Sequence, residues 1–137
     1  MVESRNIYVT EHDRKRLLHL IESVRDSWRD QQAADILEEE LERAKVVPGD
    51  KIPSSVVTMN SRVRVRDMKA QKEITYQVVF PQDSDLSLNR VSVLAPIGMA
   101  LLGYDVGSEV EWETPGGIRH LRIEAVEYQP KAAGTAA

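Results

Sequence analysis

The chain has 137 residues, 42% of them apolar, and it contains no cysteine. This length suits one ordinary domain with an appendage, and the missing cysteine excludes a disulfide scaffold, thiol catalysis and the commonest zinc ligand. The formal net charge of −4 arises in the first 50 residues, which carry 8 Lys and Arg against 12 Asp and Glu. Nucleic-acid binding relies on clustered positive charge, so we expect a protein partner and no direct sequence-specific nucleic-acid binding.

The first half, residues 1–49, predicts a short antiparallel helical hairpin of coiled-coil type. Thr10 suits an N-cap, and apolar residues follow it at helical spacing, namely Leu17, Ile21, Val24 and Trp28. A second apolar series begins after Asp30, which we expect to cap the second helix, and it contains Ala34, Leu37, Leu41 and Ala44. Pro48 and Gly49 end that helix. Helices of about 15 residues would be roughly 22 Å long.

The polar stretch between the two helices predicts the tip of the hairpin at residues 26–32. Asp26, Trp28 and Asp30 would lie there.

The second half, residues 50–137, predicts an antiparallel twisted sheet that holds one short helix, so the expected class is α+β. Strand-like patterns occur in VVTMNSRVRVRD, EITYQVVF and LNRVSVLA, and two further strands are separated by the turn sequence TPGG. Pro96 suits the first helical position and Gly103 the residue after the last turn, so we expect a helix of about two turns between them.

The chain starts without a basic region followed by an apolar one, and its longest mainly apolar run, residues 93–104, is too short to cross a bilayer. We therefore expect a cytoplasmic protein with no membrane contact.

A resemblance to the Gre transcript-cleavage factors rests on the segment SVLAPIGMALLGYDVGSEVEWETPGGIRHLRIEAVEY, residues 92–128. This segment is similar to the C-terminal domain of those factors, which implies an FKBP-like fold. The segment VVTMNSRVRVRD resembles the Rnk branch of the same GreA/GreB superfamily, the regulators of nucleoside diphosphate kinase. The helical hairpin matches the Gre order but is far shorter than a Gre coiled coil.

This resemblance implies binding to bacterial RNA polymerase at the rim of its secondary channel. We expect a noncatalytic, monomeric regulator that occupies this rim, competes with Gre-type factors and needs no cofactor. The gripping segment would comprise Pro96, Ile97, Met99 and Ala100. Many Gre sequences read Asp-Ser-Pro where this chain reads Leu94-Ala95-Pro96, so one polar contact is missing. We expect the two residues that follow this segment, Leu101 and Leu102, to face the core.

Two other residue sets are candidate sites. Arg62, Arg64 and Arg66 alternate along one predicted strand and share a face, which would either meet an acidic partner or simply be solvated. His12, His19 and His120 form no metal-ligand spacing, so we expect surface or structural roles and no metal site.

Two alternative functions stay open. Asp26 and Asp30 lie where a Gre factor carries its metal-holding carboxylates, so a genuine cleavage factor is one alternative. A peptidyl-prolyl isomerase is the other, although only seven aromatic residues are available to line an apolar cleft. The sequence has no GxxxxGK[ST] loop and no GxSxG elbow, so kinase and hydrolase chemistry are not indicated.

Overall fold

A computed structural model of the protein describes residues 7–130, in which two helices precede a curled, mostly antiparallel sheet. The helices are α1 (Glu11–Ser23), α2 (Gln31–Arg43) and the short α3 (Pro96–Leu101). The strands are β1 (Tyr8–Thr10), β2 (Lys45–Val47), β3 (Arg62–Asp67), β4 (Lys72–Val79), β5 (Arg90–Ser92), β6 (Glu109–Thr114) and β7 (Gly117–Tyr128). The predicted α+β class is confirmed. Within this part of the chain, no helix is both long enough and apolar enough to cross a membrane.

The helical hairpin is confirmed, but its tip differs from the prediction. The Thr10 hydroxyl accepts a hydrogen bond from Asp13 N–H at 3.0 Å, as expected of an N-cap. α1 ends at Ser23, however, and residues 24–26 form a turn. Trp28 therefore lies outside the apolar stripe of the helix and is 85% exposed. Asp30 precedes α2 with helical backbone angles, and its side chain makes no capping bond. The capping role predicted for Asp30 is therefore wrong.

The base of the hairpin is closed by two strands that the sequence did not predict. α2 ends at Arg43, well before Pro48, and the β-branched residues Val46 and Val47 continue in strand β2. β2 pairs in parallel with β1, and Tyr8 N–H donates to Gly103 O at 3.1 Å. The hairpin is thus fastened at its base to the segment that follows α3.

The large sheet has the strand order β5-β4-β3-β7-β6. All neighbours are antiparallel except β4 and β5, which run parallel, so the expectation of a purely antiparallel sheet was wrong for this pair. Two 3₁₀ turns, Pro81–Asp83 and Leu86–Leu88, occupy the connection between β4 and β5. The two-residue turn of Pro115 and Gly116 between β6 and β7 is confirmed.

The first predicted strand is shorter than expected, because residues 56–61 are irregular. Asn60 adopts a left-handed backbone with φ of 67°, and the Ser61 hydroxyl accepts a hydrogen bond from Thr58 N–H at 2.9 Å. These local bonds compete with a strand ladder. From Arg62 onward the predicted alternation holds, with Val63 and Val65 fully buried.

A single apolar core joins the hairpin to the sheet. It includes residues of α1 and α2, the inner faces of β3, β6 and β7, and the end of α3, among them Leu17, Ile21, Leu37, Leu41, Val63, Val65, Leu101, Val110, Leu121 and Ile123. Leu101 and Leu102 are buried, which confirms their predicted core role.

Candidate functional site

α3 is held against the sheet by its own sequence. Pro96 occupies the first turn, where its missing N–H costs nothing. Gly98 lies so close to β5 that an added Cβ would come 2.1 Å from Ser92 O. Gly103, with φ of +85°, ends the helix as predicted and donates its N–H to Val57 O at 2.8 Å. The outer face of α3 is therefore fixed in position by backbone contacts.

Three of the four predicted gripping residues line a groove of about 490 Å³ between α2 and α3, here called the α2–α3 groove. These are Pro96, Met99 and Ala100. Ile97 is not among the lining residues and packs, partly buried, against the core. The apolar lining from other elements is Ala33, Ile36, Leu94, Tyr104 and Trp112, and the charged lining is Arg29, Glu40 and Glu111. The hairpin and α3 thus form one continuous surface.

Sequence reasoning missed the hairpin side of this groove. Ile36 is 45% exposed and lies beside the buried stripe of α2, which was the available signal for a second apolar contact. Trp112 lies on β6, and nothing in its strand pattern indicated that it would line the same groove as Ile36. Whether these two residues line one groove depends on how the hairpin docks, which is a tertiary property.

The hairpin tip presents an aromatic side chain between charged residues. The Arg29 guanidinium lies 6.0 Å from the centroid of the Trp28 ring. Asp26 is exposed, and Asp30 is half-buried with its N–H 3.4 Å from the Ser27 hydroxyl. Within residues 7–130, no group of three or more His, Asp or Glu side chains is arranged to hold a metal ion.

The arginines of β3 meet carboxylates of neighbouring strands. Arg64 lies 3.8 Å from Glu73 and 3.6 Å from Glu127, and Arg66 lies 3.9 Å from Glu73. Arg62 stacks on the ring of Tyr128 with its guanidinium carbon 4.7 Å from the centroid. An acidic partner on this face would have to compete with these internal contacts.

Two buried carboxylates, neither predicted as functional, connect separate parts of the fold. Asp13 accepts a hydrogen bond from Met59 N–H at 3.1 Å, and burial raises the pKa of Asp13. Asp67 accepts bonds from Ala70 N–H at 2.9 Å and from Arg119 at 2.8 Å. The bond from Ala70 N–H is the main cause of the lowered pKa of Asp67. Asp13 thus ties α1 to the segment before β3, and Asp67 ties the turn between β3 and β4 to β7.

Comparison with known proteins agrees with this architecture. Residues 52–128 match the family described as transcription elongation factor GreA/GreB, C-term, and residues 5–47 match the Rnk N-terminus family. The chain is 44% identical over 102 residues to the regulator of nucleoside diphosphate kinase of Escherichia coli K12, covering 74% of this chain and 75% of that protein.

Two further relatives are GreA/GreB elongation factors. GreA of Phenylobacterium zucineum is 35% identical over 76% of this chain and 66% of its own length. The solved structure of a GreA/GreB elongation factor from Nitrosomonas europaea is 42% identical, covers 91% of this chain and all of that one, and superimposes with a TM-score of 0.77. With both matches placed in chain order, an Rnk N-terminus followed by a GreA/GreB C-terminal domain, the chain belongs to the Rnk branch of the GreA/GreB superfamily.

Proposed function

We propose that this protein is a noncatalytic regulator that binds bacterial RNA polymerase at the rim of the secondary channel and competes there with Gre-type factors. The observation that carries the proposal is the α2–α3 groove, because Pro96, Met99 and Ala100 are accessible in it on a helix held rigidly against the sheet. A fixed apolar surface loses little entropy when a partner covers it. Polymerase binding by the Gre family supplies the identity of that partner.

The dimensions of the hairpin support a role without transcript cleavage. Each helix has 13 residues, which corresponds to about 20 Å at 1.5 Å per residue. A Gre coiled coil is far longer and carries its carboxylates to the polymerase active site. A carboxylate that stops short of the reacting phosphate cannot lower the barrier, since metal-assisted catalysis depends on ligand geometry at the site itself.

Competition for polymerase tests the binding site. Pro96→Asp should weaken displacement of a Gre factor, because the new carboxylate would have to lose water in an apolar contact. The matched control is Pro48→Asp, since Pro48 is also exposed, lies outside the groove and occupies an N-cap position that accepts aspartate. Equal competition by both variants would mean that the α2–α3 groove is not part of the polymerase-binding surface.

A cleavage assay on backtracked complexes tests the mechanism. We expect no added cleavage with this protein alone, and less cleavage when it is in excess over a Gre factor. Robust cleavage that disappears in the double variant Asp26→Ala, Asp30→Ala would instead make it a short Gre-type factor.

We further propose that any influence on nucleoside diphosphate kinase, the enzyme in the name of the E. coli relative, runs through transcription. Deleting the gene should then change the kinase transcript and the kinase protein in parallel. A change in the specific activity of purified kinase on mixing with this protein would contradict that route.

A further inference from the structure

A second groove lies between α1 and the segment after β4. It has a volume of about 490 Å³ and is here called the α1 basic groove. Its basic lining residues are His12, Lys15, Arg16 and His19, at spacings of three, one and three along α1, which is one face of a helix. Leu20, Ser23, Phe80 and Gln82 complete the lining. We propose that this groove binds a small phosphate-bearing anion.

The charge of the lining is the first argument. Among the residues described to line the groove, Lys15 and Arg16 are cations, His12 and His19 are histidines and none is acidic, although the first 50 residues have an excess of four negative charges. Some arginines elsewhere in the structure, such as Arg43, Arg66 and Arg119, lie beside carboxylates. Within residues 7–130, no ion pair is formed by Lys15 or Arg16. Positive charge is therefore concentrated here and available.

The carboxylate of Asp13, on the same helix, does not face this groove. Asp13 lies on the buried face of α1, and its carboxylate accepts the hydrogen bond from Met59 N–H. The charges of His12 and Arg16 act on the Asp13 carboxylate but do not cancel the effect of its burial. An anion in the groove would meet the outward-facing cations.

The position of Arg16 is the second argument. Its guanidinium carbon lies 4.3 Å from the centroid of the Phe80 ring, and Phe80 is itself only 4% exposed. Stacking on a ring that belongs to the core restricts the side chain before any ligand arrives, which lowers the entropy cost of binding. The planar N–H groups of arginine suit two oxygens of one phosphate.

The volume of the groove is sufficient for a small molecule. About 490 Å³ lies within the roughly 300–1,000 Å³ typical of small-molecule pockets. The same chemistry would hold inorganic polyphosphate or the phosphates of a nucleotide, with Leu20 offering an apolar contact to a base.

Calorimetric titration of the full chain at fixed ionic strength tests the proposal, with inorganic tripolyphosphate, ATP, adenosine and a polyglutamate peptide as probes. Tripolyphosphate and ATP should bind and adenosine should not. Tighter binding of ATP would identify a nucleotide as the source of the phosphate, and tighter binding of tripolyphosphate would identify free polyphosphate. Absence of binding by both, or tighter binding of polyglutamate, would overturn the proposal.

The double variant Lys15→Gln, Arg16→Gln should weaken phosphate binding about tenfold or more, since it removes two charge-assisted contacts. The control Lys51→Gln, Lys69→Gln removes the same charge from exposed positions outside the groove and should bind as the unmodified protein does. An equal loss in both would show nonspecific attraction and overturn the proposal. Should the first variant unfold, Lys15→Gln alone, at an exposed position, should still weaken binding relative to Lys69→Gln.

Discussion

Asp13 and Asp67 are both buried, but their surroundings shift their pKa values in opposite directions. Asp13 lies on the buried face of α1, where its carboxylate accepts a backbone hydrogen bond from Met59 N–H. The effect of burial outweighs this bond and raises the pKa of Asp13. Asp67 accepts hydrogen bonds from the backbone N–H groups of Lys69 and Ala70 and from the Arg119 guanidinium, so its charged form is favoured and its pKa is lowered. These two carboxylates should therefore affect stability with opposite dependence on pH.

Asp13→Asn should reveal the first of these effects. The pKa of Asp13 in the folded protein lies above the ordinary 3.8, so the native state holds the proton more tightly than the unfolded state does. The contribution of Asp13 to the free energy of unfolding therefore falls as pH rises from 3.8 through the folded pKa. The asparagine variant keeps an acceptor for Met59 N–H without the titration. In urea denaturation over a pH series, the unmodified protein should lose stability relative to the variant as pH increases from below 3.8. A relative gain would contradict the burial argument.

Asp67→Asn should have the opposite slope. The folded pKa of Asp67 lies below 3.8, so its stabilising contribution is complete above that value and is lost as pH falls through the folded pKa. At neutral pH the substitution should cost about 1.5–3 kcal/mol, the usual range for hydrogen bonds to a charged group. The same urea series measures it, and the difference between the two proteins should shrink in acid. A difference that is independent of pH would mean that the Asp67 charge contributes nothing.

At the level of elements, the close approach of α3 to β5 determines where the candidate gripping residues lie. Gly98→Ala would force a methyl group against Ser92 O and the neighbouring backbone, which cannot move away as a flexible side chain could. We expect a loss of about 1–3 kcal/mol in the free energy of unfolding, the usual range for overpacking, together with weaker polymerase binding. Thermal unfolding and the competition assay measure the two effects.

Gly116→Ala is the matched control for that substitution. Gly116 lies in the turn between β6 and β7, where the nearest atom to an added Cβ would be Thr114 Oγ1 at 3.9 Å. The stability and polymerase binding of the Gly116→Ala variant should be close to those of the unmodified protein. If Gly98→Ala behaved in the same way, the contact between α3 and β5 would not determine the position of the site.

The elements with a strong local signal were predictable from the sequence, and the others depend on tertiary contacts. Thr10 and the buried positions Leu17 and Leu37 locate α1 and α2 through capping and helical period. β1 and β2 have only three residues each and pair in parallel across the whole hairpin, so neither period nor turn chemistry indicates them. The parallel pairing of β4 and β5 is likewise a property of the folded sheet.

The candidate site was predictable to the same extent. Pro96, Met99 and Ala100 follow from the resemblance and from a helix with marked ends, and the structure places all three on one surface. Their neighbours Ile36 and Trp112 come from distant elements, whose docking no local pattern specifies. The α1 basic groove has a local signal in the spacing of its basic residues, but Phe80, which orients Arg16, lies far along the chain.

At the level of the whole molecule, the hairpin and the sheet form one structural unit. Leu17 and Leu37 of the hairpin belong to the same apolar cluster as Val65 and Leu121 of the sheet. Two polar contacts reinforce this shared core between the hairpin and the sheet half of the chain. They are the hydrogen bonds from Met59 N–H to the Asp13 carboxylate and from Tyr8 N–H to Gly103 O. A hairpin that is part of the core can keep a fixed angle to α3, as a groove between α2 and α3 requires.

One cooperative unfolding transition is the consequence to test. Trp28→Phe leaves Trp112 of β6 as the single tryptophan of the sequence, and Trp28 is too exposed for its loss to affect packing. In urea, the fluorescence of Trp112 should then report β6 and the α2–α3 groove that Trp112 lines, while far-UV circular dichroism reports chiefly the 13-residue helices α1 and α2. Because the two parts share buried side chains, both signals should have the same midpoint, as two-state unfolding requires. Loss of the helical signal at lower urea would mean that the hairpin unfolds by itself, and the α2–α3 groove would then exist only while the hairpin stays docked.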